Sequence, residues 1–126
     1  MSSTKTKSDW NDESTSEISV TLLPLSTEQT HSVLELVQGP GAPRQYELHR
    51  SEMVVGRSPD NAIAIHSRSL SRRHSRFSCR NGRLLIDDLG STNGTMVNGR
   101  RVDAEHELHH GDLVLIGDAT FRIELP

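Results

Sequence analysis

The sequence predicts an all-β protein, a sandwich of two antiparallel sheets with its functional loops gathered at one end. Three observations carry this. From His31 onward, apolar and polar residues alternate over short runs, the two-residue period of half-buried strands. Turn-forming residues recur about every 8–12 positions, the spacing that short sandwich strands require. No window sustains the helical period of about 3.6 residues, and no internal repeat is present.

Residues 1–30 come first and differ from the rest. They hold two lysines and five acids among many Ser and Thr, with few apolar side chains. Such a segment cannot bury enough surface to offset its ordering entropy. The expectation is therefore a flexible acidic tail over 1–30 and one domain over 31–126. Ile18-Ser19-Val20-Thr21-Leu22-Leu23 is the one apolar patch of this tail, and Pro24 ends it.

The strands follow in order. Ser32-Val33-Leu34-Glu35-Leu36-Val37 reads as a strand that Gly39-Pro40-Gly41-Ala42-Pro43 breaks. Gln45–His49 alternates, with Tyr46 and Leu48 on one face. Met53-Val54-Val55 is a short apolar run that delivers Gly56-Arg57, and Ala62–Ile65 follows a turn at Pro59-Asp60-Asn61. Phe77 and Cys79 share a face. Asn81-Gly82 then marks a tight hairpin returning Leu84-Leu85-Ile86, and Asn98-Gly99 marks a second. Leu113-Val114-Leu115-Ile116, after Gly111-Asp112, reads as a buried strand. In the last strand Phe121, Ile123 and Leu125 alternate with Thr120, Arg122 and Glu124.

The formal charge of −3 is uneven. Residues 31–126 balance twelve arginines against twelve acids, so the deficit lies in the tail. Within 57–83 there are seven arginines and one acid, Asp60, and no lysine follows Lys7. A genomic preference for arginine accounts for this composition. So does planar, bidentate recognition of phosphate. One cysteine, Cys79, excludes an internal disulfide and suits a reducing compartment. There is no apolar run long enough to span a membrane and no signal-peptide pattern at the N-terminus, so a cytoplasmic protein without membrane contact is expected. Asn93-Gly94-Thr95 matches a glycosylation acceptor but reads as a turn in that setting.

Three polar segments separated by strands stand out: Gly56-Arg57-Ser58-Pro59, Ser71-Arg72-Arg73-His74 and Leu89-Gly90-Ser91-Thr92-Asn93-Gly94-Thr95. Loops converging on an anion need donors without competing acceptors, and arginine supplies them in a fixed fork. Gly56 permits a close approach or a conformation that a side chain would block. Taken alone, Arg57 reads as a surface arginine lying over the sheet, and the last segment as a turn of turn-formers. Together these groups suit a phosphate monoester on a peptide.

The wording and order of these segments resemble the forkhead-associated (FHA) domain, a phosphothreonine-reading module. GR, SRxH, LGSTNGT and VNG occur in that order, and the resemblance runs from about residue 31 to the C-terminus. It implies the same two-sheet sandwich. It implies that Arg57, Ser71, Arg72 and Thr92 bind the phosphothreonine, while the Asn93 amide bonds the peptide backbone. It gives Gly56, His74, Gly94 and Asn98 bracing roles, with the histidine making no ligand contact. Ser69, two positions before Ser71, matches a position that can read the third residue after the phosphothreonine; it offers no charge there, and Arg68 is one step away. The implied partners are a phosphothreonine-containing protein and a Ser/Thr protein kinase, with threonine favoured over serine. In the tail, Thr15 follows Asp12-Glu13-Ser14 and has Ile18 at its third following position. Similarity to small bacterial FHA proteins makes Thr15 the candidate phosphorylation site, and the chain's own phosphorylated tail a candidate ligand.

Other chemistries are weaker. His106-Glu107-Leu108-His109-His110 matches the HExxH zinc-protease pattern, which works only on a helix. Gly111-Asp112 and a strand follow at once, so a polar connector is expected. A triad of Ser71, His74 and Asp87 or Asp88 lacks any nucleophile elbow. Nucleic-acid binding through the arginine cluster is the alternative function, and a purely structural sandwich another. Against the former stand the neutral domain and only four aromatics, Trp10, Tyr46, Phe77 and Phe121. No enzyme activity, cofactor, metal or nucleic-acid partner is expected.

Overall fold

The computed structural model describes residues 31–126. The tail boundaries, the apolar patch at Ile18–Leu23 and the Thr15 site lie outside the described residues. Within them the chain forms eleven strands and no helix. They are β1 (Val33–Gln38), β2 (Arg44–Glu47), β3 (Glu52–Gly56), β4 (Ile63–Ala64), β5 (Ser75–Arg80), β6 (Arg83–Asp88), β7 (Thr95–Val97), β8 (Arg100–Arg101), β9 (His106–Leu108), β10 (Leu113–Ile116) and β11 (Ala119–Glu124).

The strands make two sheets. One has the order β9-β6-β5-β3-β4, the other β2-β1-β11-β10-β7-β8. All pairings are antiparallel except β3 with β4, where Val55 faces Ile63 and Gly56 faces Ala64 in a parallel ladder. The sandwich predicted from alternation is therefore present, with one mixed edge. Both hairpin signals hold. Asn81 and Gly82 have φ of 54° and 75°, and Asn98 and Gly99 have 51° and 84°, the left-handed pair that a two-residue hairpin needs.

Alternation fills the core from both sheets. Leu34, Leu36, Val55, Phe77, Ile86, Val114, Phe121 and Ile123 are buried. Phe77 from one sheet meets Phe121 from the other edge-to-face, with ring centroids 6.0 Å apart. One expectation needs correction. The run Leu113–Ile116 is not buried throughout: Val114 and Ile116 have no exposure, whereas Leu113 and Leu115 are 46% and 37% exposed. An antiparallel sheet covered on one face buries every second residue of a strand even when all are apolar.

Three loops leave the same end of the five-stranded sheet or enter the strands beside it. One follows β3 after Gly56, one runs from β4 to β5 through Leu70 and Ser71, and one links β6 to β7. These are the three polar segments of the sequence.

Candidate functional site

The first two loops are laced together by backbone. Arg57 N–H donates to Ser71 O at 2.9 Å and Ser58 N–H to Arg72 O at 3.2 Å. Asn61 reinforces this contact: its Nδ2 donates to Arg72 O at 2.6 Å, and its Oδ1 accepts from Arg73 at 3.3 Å. Gly56 is required by space. A Cβ there would lie 2.1 Å from the Arg72 carbonyl oxygen. Its φ is not positive, so of the two uses expected for this glycine the close approach is the one realised.

His74 joins the second loop to the third. It is fully buried, accepts the Ser71 N–H at Nδ1 at 3.1 Å, and meets the Gly94 carbonyl through Nε2 at 2.7 Å. An N–H can only donate and a carbonyl can only accept, which assigns the proton to Nε2. The imidazole is thus a brace, and neither nitrogen is free to serve Ser71 as a base. Gly94 itself has φ +85°.

The third loop is folded around Asp88. Its Oδ2 accepts the N–H groups of Gly90 and Ser91 at 3.0 and 2.9 Å. Its Oδ1 accepts the hydroxyls of Ser91 and Thr95, both at 2.6 Å. Thr95 has one hydroxyl proton and gives it to Asp88, so the buried Ser75 hydroxyl, 2.6 Å away, donates to Thr95. Partial burial favours the neutral acid, but the bonds from Ser91 and Thr95 outweigh it and hold the Asp88 carboxyl below its ordinary value.

These braces present the remaining groups outward. Thr92 N–H donates to Ser71 Oγ at 3.0 Å, leaving the serine hydroxyl proton available to an anion. Asn93 Nδ2 donates to Ser69 O at 2.8 Å. Its carbonyl oxygen remains to accept from a peptide N–H. Arg57, Arg72 and Thr92 are exposed. Four arginines, Arg57, Arg68, Arg72 and Arg73, line a groove of about 500 Å³ with Ser71, Thr92 and Asn93. Arg57 and Arg72 also border a second groove of about 600 Å³, which Pro59, Ala64 and His66 line as well.

The arginine cluster divides by its pairing. On the sheet, Arg76, Arg80 and Arg83 face Asp87, Glu105 and Glu107. On the loops, Arg57, Arg68 and Arg72 pair with no carboxylate among the described residues.

Of the nine residues expected at the site, seven lie on these loops, Gly56 ends β3 beside them, and the ninth is Asn98. That residue lies in the β7–β8 turn, where its amide bonds Asp112 Oδ1 and the Leu113 N–H, both at 3.0 Å. Ser69 is turned to other work: its hydroxyl accepts the Asp118 N–H at 2.9 Å and contacts Ser67 Oγ at 2.9 Å. The sequence gives no bracing role to Asn61, Ser75 or Asp88, the last being considered only as a triad acid. The one available signal was Asn61 in a Ser-Pro-Asp-Asn turn. The HExxH segment holds no helix, since His106–Leu108 is β9 and places His106 and Glu107 on opposite faces.

The FHA domain family model matches residues 53–117, a span that holds all three loops. A glycogen accumulation regulator, GarA, of Mycolicibacterium smegmatis is 37% identical over 86 residues, covering 68% of this chain and 54% of its own. An oxoglutarate dehydrogenase inhibitor of Corynebacterium diphtheriae is 36% identical over 85 residues, covering 68% of this chain and 59% of its own. The chain thus spans a little over half the length of these curated relatives. Among solved structures, an FHA domain from work on phosphothreonine-dependent FHA interactions superposes with a TM-score of 0.69 at 30% identity, over 77% of this chain and 98% of that one. EmbR of Mycobacterium tuberculosis, in complex with a low-affinity phosphopeptide, superposes with a TM-score of 0.72 at 27% identity, over 80% of this chain and 26% of that one.

Proposed function

The chain belongs to the FHA family, and we propose that residues 31–126 are a phosphothreonine-reading adaptor domain in a Ser/Thr kinase pathway, with residues 1–30 as its regulatory tail. The reading rests on one observation above the others. Arg57 and Arg72 line one groove with Ser71 and have no carboxylate partner among the described residues, and Ser71 Oγ, accepting the Thr92 N–H, keeps its own proton to donate. A phosphate carries about −1.5 to −2 charges and three acceptor oxygens, which is what such a set lacks. Arg57 and Arg72 supply charge-assisted donors, Ser71 and Thr92 supply hydroxyls, and the Asn93 carbonyl takes a peptide N–H. Nothing in this set performs bond-breaking chemistry, so the chain acts by binding. The names of the relatives, a regulator and an inhibitor, support that reading. The partner is a phosphothreonine protein of a cytoplasmic pathway, or the chain's own tail once Thr15 is phosphorylated.

Titration by fluorescence anisotropy tests it. Matched peptides carrying phosphothreonine, phosphoserine or threonine, and a random DNA duplex, are compared on the full chain. The phosphothreonine peptide should bind alone among the threonine pair. It should exceed phosphoserine by at least about 0.8 kcal/mol, the worth of one buried methyl. Equal binding of the unphosphorylated peptide, or stronger binding of DNA, would overturn the reading in favour of a general basic surface.

A further inference from the structure

The first two strands bring together three metal-ligating side chains that no spacing in the sequence announces. Val33 pairs with Glu47 in the β1–β2 ladder, and Leu48 N–H donates to Ser32 O at 3.0 Å, so the pairing continues beyond the strand ends. Carried two residues further, this register sets His31 opposite His49. Glu47 and His49 are two residues apart on one strand direction and project to one face. The side chains meet accordingly. His49 Nε2 lies 3.1 Å from Glu47 Oε1, and the His31 and His49 rings stand edge to face at 4.9 Å. One ligand atom from each of the three residues lies within 4.8 Å of the other two. All three residues are exposed, so a cation can reach them.

We propose that His31, Glu47 and His49 form a binding site for a transition-metal cation of the zinc type, with water in the open position. Zinc takes imidazole and carboxylate ligands at roughly 2.0–2.2 Å in a tetrahedron, which sets neighbouring ligand atoms about 3.4 Å apart. The His49–Glu47 separation of 3.1 Å is already close to this, and the His31 ligand atom lies within 4.8 Å of both. Two imidazoles with one carboxylate select zinc, nickel or copper over calcium and magnesium, which take oxygen ligands. The ladder fixes the backbone of Glu47 and the Leu48–Ser32 bond extends it to the neighbours of His31 and His49, and buried Leu48 between Glu47 and His49 anchors the chain beneath them. A cation held here ties the entry into β1 to the exit from β2, and stabilises the fold by mass action.

The cluster is separate from the HExxH-like segment, where β9 parts His106 from Glu107 and His110 Nδ1 accepts the Leu125 N–H at 3.1 Å. That segment provides the control. Tag-free full-length protein, stripped with chelator, is titrated calorimetrically with zinc, and cobalt(II) absorption is read in parallel. Expected are one saturable equivalent, a melting temperature that rises with zinc, and affinity that weakens on acidification, because an imidazole nitrogen cannot hold a proton and a metal together. His49→Ala and Glu47→Gln should each weaken zinc binding at least about tenfold, without lowering the melting temperature of the metal-free protein. His106→Ala combined with His110→Ala should bind zinc as wild type does. The absence of a saturable micromolar equivalent, or zinc binding that survives His31→Ala with His49→Ala, would overturn the assignment.

Discussion

His74 and Gly94, twenty residues apart, are joined by a 2.7 Å hydrogen bond from an imidazole with no solvent exposure to a backbone carbonyl. Because the other ring nitrogen holds the Ser71 N–H, this side chain sets the distance between the loop that carries Ser71 and the loop that carries Thr92 and Asn93. The site is therefore pre-organised from below, by a residue that does not reach the groove.

Replacing that brace should damage both stability and recognition. His74→Ala strands the Ser71 N–H and the Gly94 carbonyl, at roughly 1–3 kcal/mol for each buried group left unpaired. The expected outcome is a lowered melting temperature by circular dichroism and weaker phosphopeptide binding in the fraction that still folds. His74→Gln, which keeps one donor and one acceptor, should recover part of both. A folded His74→Ala protein with unchanged affinity would show that the loops hold their spacing without the ring.

Arg57 predicts the opposite separation. Its side chain is exposed and has no carboxylate partner among the described residues, so the fold draws little from it. Arg57→Ala should change stability by no more than about 0.5 kcal/mol. Phosphopeptide affinity should fall by roughly 2–5 kcal/mol, the usual cost of removing one partner from a hydrogen-bonded charge pair. Ser71→Ala should cost on the order of 1 kcal/mol for a single hydroxyl bond. Anisotropy titrations beside thermal melts separate the two quantities, and unchanged binding by folded Arg57→Ala would remove it from the site.

Much of this was legible in the sequence, for identifiable reasons. Strand periodicity and the Asn-Gly pairs depend on neighbours along the chain, so β5, β6 and the hairpin between them could be read directly. The groove residues were legible because arginine, hydroxyl and amide types are chemically distinctive. What escaped depends on distant pairing. Asp88 was indistinguishable from Asp87 in the sequence, yet strand alternation sends Asp87 to Arg76 and Asp88 into the loop. The exposure of Leu113 and Leu115 is not legible in the sequence, because an apolar side chain does not say which sheet face is covered. The His31, Glu47 and His49 cluster escaped because only the β1–β2 register assembles it.

Asp88 gives a pH dependence whose sign follows from its bonds. Burial opposes ionisation, but the Ser91 and Thr95 bonds prevail and its carboxyl is held low. The folded protein therefore binds this proton more weakly than the unfolded chain does. The resulting stability is fully present above the unfolded-state value of about 3.9, and is lost as pH falls through the lower folded value. Glu105, bonded to Arg80, and Asp118, bonded to Ser69, are lowered as well, so Asp88 supplies one part of the acid limb. Melting temperatures recorded down that limb should decline less steeply in Asp88→Asn than in wild type. Parallel curves would mean that the loop keeps its fold without the charge.

The last prediction concerns Thr15, which lies outside the described residues. Acidic residues precede it at Asp12 and Glu13, and Ile18 follows at the third position. Self-capture depends on reach and concentration. The residues from Ser16 to Thr30 can span roughly 50 Å when extended, against a radius of gyration of about 13 Å for a domain of this length. A tether of that kind gives an effective concentration near millimolar. Any affinity in the micromolar range for phospho-Thr15 would then leave the groove of Arg57, Ser71, Arg72 and Thr92 mostly filled by the chain's own tail. Phosphorylation of Thr15 should therefore weaken capture of an external phosphothreonine peptide, and Arg57→Ala should abolish the tail's engagement. NMR of the phosphorylated chain reads this directly, through shifts at Ser71 and Thr92 N–H that are independent of protein concentration. Shifts that grow with concentration would instead indicate capture between molecules. Unchanged affinity for the external peptide would leave the tail without a part in gating the site.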